Sequence, residues 1–342
     1  MTIEIEQAWG LVKQHGQNPA SYLTLEDDKK LYFGRRVPGV IAYGQVGMTV
    51  VVCGDPIAAP EDFMELLVEF QAFCANRSSQ CVFMGTTEDF LEQYTTLGYR
   101  HVKYGEEARF DLTEYQLAGG RMAKMRAQVN HANKAGLITC EYRPQQMKDT
   151  EIEGHLHRIS KQWLQEKKSG QLGFTIGSVG LENPLDRRYF YAKDAEGNIV
   201  AFHVFIPFAG KNGYMADITR RMPGAPSGVT EKINFDAFMT FREEGIAWGS
   251  LGLAPLSNVL ESHEKNSIDA KFLNLIYEKC SRFYGFKSLH LAKERAVPTL
   301  WMPGYLVYST RHITPSIAYA MIKIQNTGGV KDYLQGFVRG KH

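Results

Sequence analysis

Cysteine is scarce and poorly placed for cross-linking. Cys53, Cys74, Cys81, Cys140 and Cys280 are odd in number and none are spaced as CxxC, which argues against a disulfide framework and a thiolate zinc site. Long apolar runs are missing as well. The nearest candidate, Val40–Cys53, is interrupted by Gly44, Gln45 and Gly47, well short of the ~18 residues a spanning helix needs. An excess of one charge is also lacking. Lys and Arg number 39 against 37 Asp and Glu, a net charge of +2, so any contact with nucleic acid must come from a local basic patch. The opening MTIEIEQAWG has no cationic segment followed by an apolar one, which excludes a signal peptide and predicts a cytoplasmic protein. No Ser/His/Asp or Cys/His arrangement and no metal-ligand spacing stands out, so no metal is expected.

What is present is material for two ordinary cores: 44% hydrophobic residues over 342 positions. A short amphipathic helix over Glu6–Gln14 leads through Pro19 to a hairpin pattern, Val40–Tyr43 and Met48–Cys53 around Gly44–Gly47. Phe63, Leu66, Leu67, Phe70 and Phe73 recur at helical spacing between Pro60 and Asn76. Gln80–Gly85 reads as a buried strand, Glu88–Thr95 as a helix closed by Leu97-Gly98-Tyr99, and Arg100–Leu112 as another extended run. This order is that of the first half of a GNAT-type acyltransferase fold.

Glu114–Lys134 then breaks the alternation with a predicted long helix. Ala118, Met122, Met125, Val129 and Ala132 form its apolar stripe, while Arg126, Asn130 and Lys134 fall four apart on another face. That second face is either a solvated side or a basic rail for a polyanion. The remainder repeats the outline: a strand at Leu137–Tyr142, a helix at Thr150–Lys167 with Trp163, and an apolar strand at Asn198–Phe208 that contains His203, read as a satisfied core residue. Later come a helix at Ala270–Phe283, a basic segment at Gly285–Arg295, a strand at Tyr305–Tyr308 and a last short helix around Met321–Lys323. The expected architecture is α/β (α+β), a tandem GNAT-like fold of two mixed sheets flanked by helices. Its parts are an N-terminal unit 1–113, a long basic connecting helix 114–136 and a C-terminal catalytic unit 137–342.

Tyr214–Leu256 carries most of the chemistry. A strand delivers Asp217 and Arg220, the loop Pro223–Gly228 feeds a helix that starts near Thr230, and a second strand ends in Gly252–Pro255, a break that can leave a gap between strands. Free N–H groups at such a helix start, with arginines beside them, suit an anion; a plain turn has the same residues. Asp217 with Arg220 is equally readable as a structural ion pair, Lys293 with Arg295 as a solvated face, and Tyr284 and Trp301 as core.

Six blocks in order resemble a known family: YGEEARFDL (104–112), RAQVNHANKAG (126–136), QWLQEKKSGQLGFTIG (162–177), DITRRMPGAPSGVTE (217–231), GSLGLAPLS (249–257) and FYGFKSLHLAKERAVPTLWMPGYL (283–306). Together they are similar to the C-terminal domain of the phosphatidylglycerol lysyltransferases, also called lysyl- or alanyl-phosphatidylglycerol synthases. The resemblance implies transfer of an amino acid, lysine or alanine, from charged tRNA to a hydroxyl of phosphatidylglycerol or a related lipid. No cofactor beyond the aminoacyl-tRNA donor is implied. By position Asp217 and Arg220 match the family's acidic and basic pair near the aminoacyl group, and Lys293 a lysine of its C-terminal segment; on that footing Asp217 would hold the α-ammonium group, Arg220 a phosphate or the developing oxyanion, and Lys293, with Arg295, would neutralise phosphate and assist proton movement. Arg221, Ser227, Gly228, Arg295 and Tyr284 would bind substrate, and Arg126, Asn130 and Lys134 would track the tRNA.

The pattern departs from the family at Gly285, at Lys287-Ser288 and at Ala296, and Arg295 stands where a second lysine is usual. No membrane-embedded half of the family's kind is visible. The expectation is therefore a cytoplasmic protein, peripheral on the inner face of the membrane, with charged tRNA and phospholipid as partners and room for a separate membrane partner. The linker helix and Pro298–Tyr308 are the candidate lipid contacts. Two other readings compete: an acyl-CoA-dependent N-acyltransferase, whose usual Q/R-x-x-G-x-G/A loop is missing here, and a non-catalytic tRNA- or lipid-binding module.

Overall fold

A computed structural model describes residues 2–166, 173–261, 267–284 and 286–325, with the side chains of 261, 276, 277 and 279–284 outside that set. The chain opens with α1 (Ile3–His15) and a 3-10 turn, Pro19–Leu25, begun by Pro19 and capped by Asn18, whose side chain accepts from the Ala20 amide at 2.8 Å. Strands β1 (Lys30–Phe33), β2 (Gly39–Val46), β3 (Thr49–Cys53) and the short β4 (Ile57–Ala58) follow. Next come α2 (Phe63–Ala75), β5 (Gln80–Thr86), α3 (Leu91–Thr96) and β6 (Arg100–Asp111). The periodic apolar residues of α2 do what their spacing predicts. Phe63, Leu66, Leu67 and Phe70 are buried together with Val50, Val52 and Phe83, each worth roughly 1.5–3 kcal/mol of transfer from water.

The second half contains α4 (Ala123–Lys134), β7 (Ile138–Tyr142), α5 (Thr150–Glu166), β8 (Arg188–Lys193), β9 (Ile199–Phe208) and β10 (Gly213–Arg221). It continues with α6 (Val229–Glu243), β11 (Trp248–Pro255), α7 (Ile268–Tyr284), α8 (Phe286–Arg295), β12 (Leu300–Tyr308) and α9 (Pro315–Gln325). Strand β8, which the sequence reading passed over, is an aromatic alternation, RYFYAK, whose Phe190 and Tyr191 enter different cores. His203 is buried in β9, shares a 2.8 Å hydrogen bond with Asn234, and burial pushes its pKa down to about 4, the satisfied core residue expected.

Three expectations are corrected. The connecting helix is shorter than 114–134, because Gly119 and Gly120 precede its start and both cost helix stability. Arg126, expected on a tRNA rail, turns back and donates to the carbonyls of Leu117 and Gly119. The two expected sheets are one. Among the described residues the strand order is β1-β2-β3-β5-β12-β6-β11-β10-β9-β8-β7, with β4 beside β2. The reason is β6, twelve residues long, which pairs antiparallel with β12 on one side and β11 on the other. Gly105 makes that seam possible: a Cβ there would stand 2.3 Å from the Ala254 carbonyl oxygen.

Candidate functional site

Two strand pairs in this sheet are parallel, β3 with β5 and β10 with β11, one in each half. The first is closed along its length. Thr49–Cys53 pair with Gln80–Met84, and the Gly54 amide continues the ladder by donating to the Met84 carbonyl at 2.8 Å. The second opens. Pairing covers Gly213–Met215 against Trp248–Ser250 and goes no further, after which both strands bulge. This is the gap that the Gly252–Pro255 break foretold.

Asp217 is the extra residue of the β10 bulge, between Ala216, paired with Phe205, and Ile218, paired with Val204. A bulge puts neighbouring side chains on one face and re-aims them. Here Ile218 packs in the cluster containing Ile176 and Val179, and Asp217 accepts from the Gly177 amide at 3.1 Å in the same loop. Its second oxygen, Oδ2, is buried without a partner. Burial pushes the carboxyl up to about 6. The Gly177 N–H works against that shift, and the nearby charge of Glu26 adds to it. Gly177 is required by proximity, since a Cβ on it would lie 2.3 Å from Asp217 Oδ2 and 2.8 Å from Glu26 Oε1.

The surrounding carboxylates are matched. Glu26 pairs with the buried Arg187 and accepts from the Ser178 amide at 3.1 Å. Asp28 pairs with Lys29 at 2.6 Å and accepts from the Phe174 amide at 2.8 Å. Loop amides at 174, 177 and 178 thus rest on three carboxylates, and only Asp217 among these three has no cation in contact. In β6, Glu107 holds Arg109 through two hydrogen bonds of 3.0 and 2.8 Å, and Glu106 pairs with Lys103.

Arg220 and Asp217 do not form an ion pair. The Arg220 guanidinium lies 3.8 Å from the centre of the Trp163 ring on α5; among the described residues its hydrogen bond is a 3.3 Å donation to the Thr219 carbonyl, and its Nε is buried without a partner. Burial lowers its pKa to about 10, opposed by the charge of Asp217. A cation held flat on an indole with donors to spare suits an anion.

Lys293 enters the gap from α8. Its Nζ donates to the carbonyls of Gly252 and Leu253 at 2.8 and 2.7 Å; Gly252 lies in the β11 bulge and Leu253, opposite Glu107, is where pairing with β6 resumes. The point where a Cβ would stand on Gly252 lies 3.2 Å from Met215 Sδ and 3.8 Å from Lys293 Nζ, so β10, β11 and α8 converge there. Burial pulls the amine down to about 7, with the charge of Glu107 opposing. One carboxyl and one amine that both titrate near neutrality, beside a strand gap, form a proton-handling arrangement.

Other expected residues lie apart from this centre. Arg221, Asn130, Lys134 and Arg295 are exposed. Ser227 hydrogen-bonds to Gln128 at 3.1 Å, and Gly228 abuts the Gln128 carbonyl, 2.2 Å from where its Cβ would be, so the α6 start leans on α4. The side chain of Tyr284 lies outside the described residues. Trp301 stacks on His290 with centroids 4.6 Å apart. The sequence reading gave no role to Gly177, Glu26, Arg187 or Trp163. The one available signal was the glycine closing GFTIG. Among the described residues no group of three or more His, Cys, Asp or Glu is arranged to hold a metal, and no helix is long and apolar enough to cross a membrane.

Residues 9–308 match the family model described as phosphatidylglycerol lysyltransferase, C-terminal. The chain is 29% identical over 303 residues to the phosphatidylglycerol lysyltransferase of Bacillus subtilis, covering 89% of this chain and 35% of that protein. It is 24% identical over 324 residues to that of Staphylococcus haemolyticus, covering 94% and 37%. It therefore spans about a third of the length of these relatives. Among solved structures, L-PGS from Bacillus licheniformis superposes with a TM-score of 0.78 at 26% identity, covering 98% of this chain and 97% of that one. FemX superposes at 0.53 with 12% identity, covering 90% and 96%, a likeness of fold alone.

Proposed function

The chain belongs to the phosphatidylglycerol lysyltransferase C-terminal family, and we propose that its strand gap moves an amino acid from a charged tRNA to a hydroxyl of phosphatidylglycerol or a related lipid. The observation that carries this reading is the buried, unpartnered Oδ2 of Asp217 on the β10 bulge, in the strand pair whose parallel pairing stops at Met215 and Ser250; Lys293 reaches the bulge of the facing strand β11. An aminoacyl ester is already activated, so exchange of one hydroxyl for another is close to isoenergetic and needs no covalent enzyme intermediate. Positioning supplies roughly 7 kcal/mol of the barrier. Asp217 holds the α-ammonium group. The Lys293 amine takes the proton from the attacking lipid hydroxyl as its oxygen bonds to the ester carbon. The bond from that carbon to the ribose oxygen breaks, and the proton passes to that oxygen, restoring the ribose hydroxyl. Arg220, kept flat by Trp163, neutralises a phosphate or the developing oxyanion.

The donor half of the reaction is tested by protein-dependent deacylation of charged tRNA as a function of salt. The wild type should bind with a steep salt dependence, and Arg220→Gln should weaken binding several-fold and flatten the slope by about one unit. Indifference to tRNA, with turnover of an acyl-CoA and an amine instead, would overturn the reading.

A further inference from the structure

Seven of the twelve large apolar side chains exposed among the described residues fall between Leu260 and Leu300. On α7, Ile268, Phe272 and Leu275 stand at i, i+4 and i+7, exposed by 68%, 38% and 50%, while Ala270 and Leu273 on the other side of the helix are buried. An inward apolar side is what a packed helix needs; a second, outward stripe is not explained by folding. On the adjoining α8, Leu289 and Leu291 are exposed by 41% and 49%, and Leu300 at the start of β12 by 41%. Lys271 lies exposed inside the α7 stripe, and Arg295 is exposed at the end of α8. The two helices are tied by an ion pair from Lys287 to Glu278 at 2.8 Å.

Polar and aromatic side chains lie beside this surface. His290 lies between Leu289 and Leu291 in sequence, its ring is stacked on Trp301 next to Leu300, and its Nε2 is buried without a hydrogen bond, 3.9 Å from Glu106 Oε2. Glu106 is held in place by Lys103 and by Asn258, which donates to it at 2.8 Å. One turn further along α8 is Lys293, at the strand gap. We propose that the outward stripe of α7, with Leu289 and Leu291 on the two flanks of α8 and with Leu300, lies on a lipid bilayer, with the His290–Trp301 stack at the opening through which a headgroup reaches Lys293. This rests on the reading that the acceptor is a lipid; of the contacts expected from the sequence it keeps Leu300 and Trp301 from Pro298–Tyr308 and leaves out the linker helix. A bilayer fits better than a second copy of the chain. The acyl chains of an acceptor stay in the membrane while only the headgroup advances, so the opening must sit flush with the lipid surface, and a second copy seated here would cover it. Cations set among apolar side chains, Lys271 and Arg295, bury their stems and keep their charges at the headgroups.

Sedimentation of the full chain with vesicles of phosphatidylcholine and phosphatidylglycerol tests the surface. The triple substitution Ile268→Ser, Phe272→Ser, Leu275→Ser and the pair Leu289→Ser, Leu291→Ser should each weaken vesicle binding at least about tenfold. Melting temperature, binding of charged tRNA and transfer to the water-soluble glycerophosphoglycerol headgroup should stay unchanged. Vesicle binding equal to wild type in both variants would overturn the proposal, as would a wild-type dimer that the substitutions dissociate without affecting vesicle binding. Absence of transfer to lipid and headgroup alike in the wild type would count against the transferase reading; the sedimentation result would still decide the surface.

Discussion

Asp217→Asn should slow transfer by roughly 30-fold to several thousand-fold, the 2–5 kcal/mol lost when one partner of a buried hydrogen-bonded charge pair is neutralised, and should leave the protein folded and more heat-stable. Both effects have one cause. The carboxyl titrates at about 6 in the fold, above its unfolded value of about 3.9, because it is buried with one oxygen unpartnered. A carboxyl raised in this way contributes stability that is fully present below pH ~3.9 and lost as pH rises through about 6, so at neutral pH the ionised group weighs against folding. Asparagine keeps the acceptor for the Gly177 amide and removes the charge. The ammonium of the bound amino acid is what the charge serves. Calorimetry and single-turnover transfer on the same preparation check both halves. A variant that is less stable and equally active would make Asp217 a structural residue.

Lys293→Arg should retain substrate binding and lose about 10²- to 10⁴-fold in rate, the usual worth of a positioned general base. The guanidinium still donates to carbonyls but gives up no proton near neutrality. The wild-type rate should rise with pH through about 7, because only the neutral amine accepts a proton, and this limb should vanish in the variant while a limb near 6 from Asp217 persists. The stability effect has the opposite sign to that of Asp217. With its folded pKa below the unfolded value of about 10.4, Lys293 contributes stability that is present at high pH and lost as pH falls through about 7. Lys293→Met should lose the same rate and also destabilise the fold by about 1–3 kcal/mol for each carbonyl left without a donor, those of Gly252 and Leu253. A pH–rate profile unchanged in Lys293→Arg would remove the amine from proton transfer.

Much of this could be read from the residues because local rules and the global fold agree there. The α2 periodicity and the break at Gly252 each have one structural solution, and the β2–β3 hairpin was legible as such, although it turns at Gly47-Met48 while Gly44–Val46 remain paired in β2. Asp217 and Arg220 were expected at a strand mouth and lie within β10, and Lys293, singled out only by the family resemblance in a segment read as basic, lies on α8. What was hidden depends on distant pairing. The single sheet follows from β12 returning between β5 and β6, nearly 200 residues apart in sequence from its β6 partners, a non-local choice that no periodicity encodes. The bulge that re-aims Asp217 is a register event. The matching of Glu26 by Arg187 across 161 positions fixes which carboxylate is left free, and is visible only once the loop is folded over it. Arg126 misled for a local reason: its helical spacing matches that of Asn130 and Lys134, but two preceding glycines open a turn whose carbonyls claim the guanidinium.

The most direct measurement gives the purified protein tRNAs charged with labelled lysine or alanine and vesicles containing phosphatidylglycerol, then follows label into the lipid extract. The expected result is label in lipid that depends on the protein, is abolished by prior RNase treatment and falls to near background with Asp217→Asn. Label that stays on the tRNA with wild-type protein, or that reaches lipid equally well in Asp217→Asn, would contradict transfer at the β10–β11 gap.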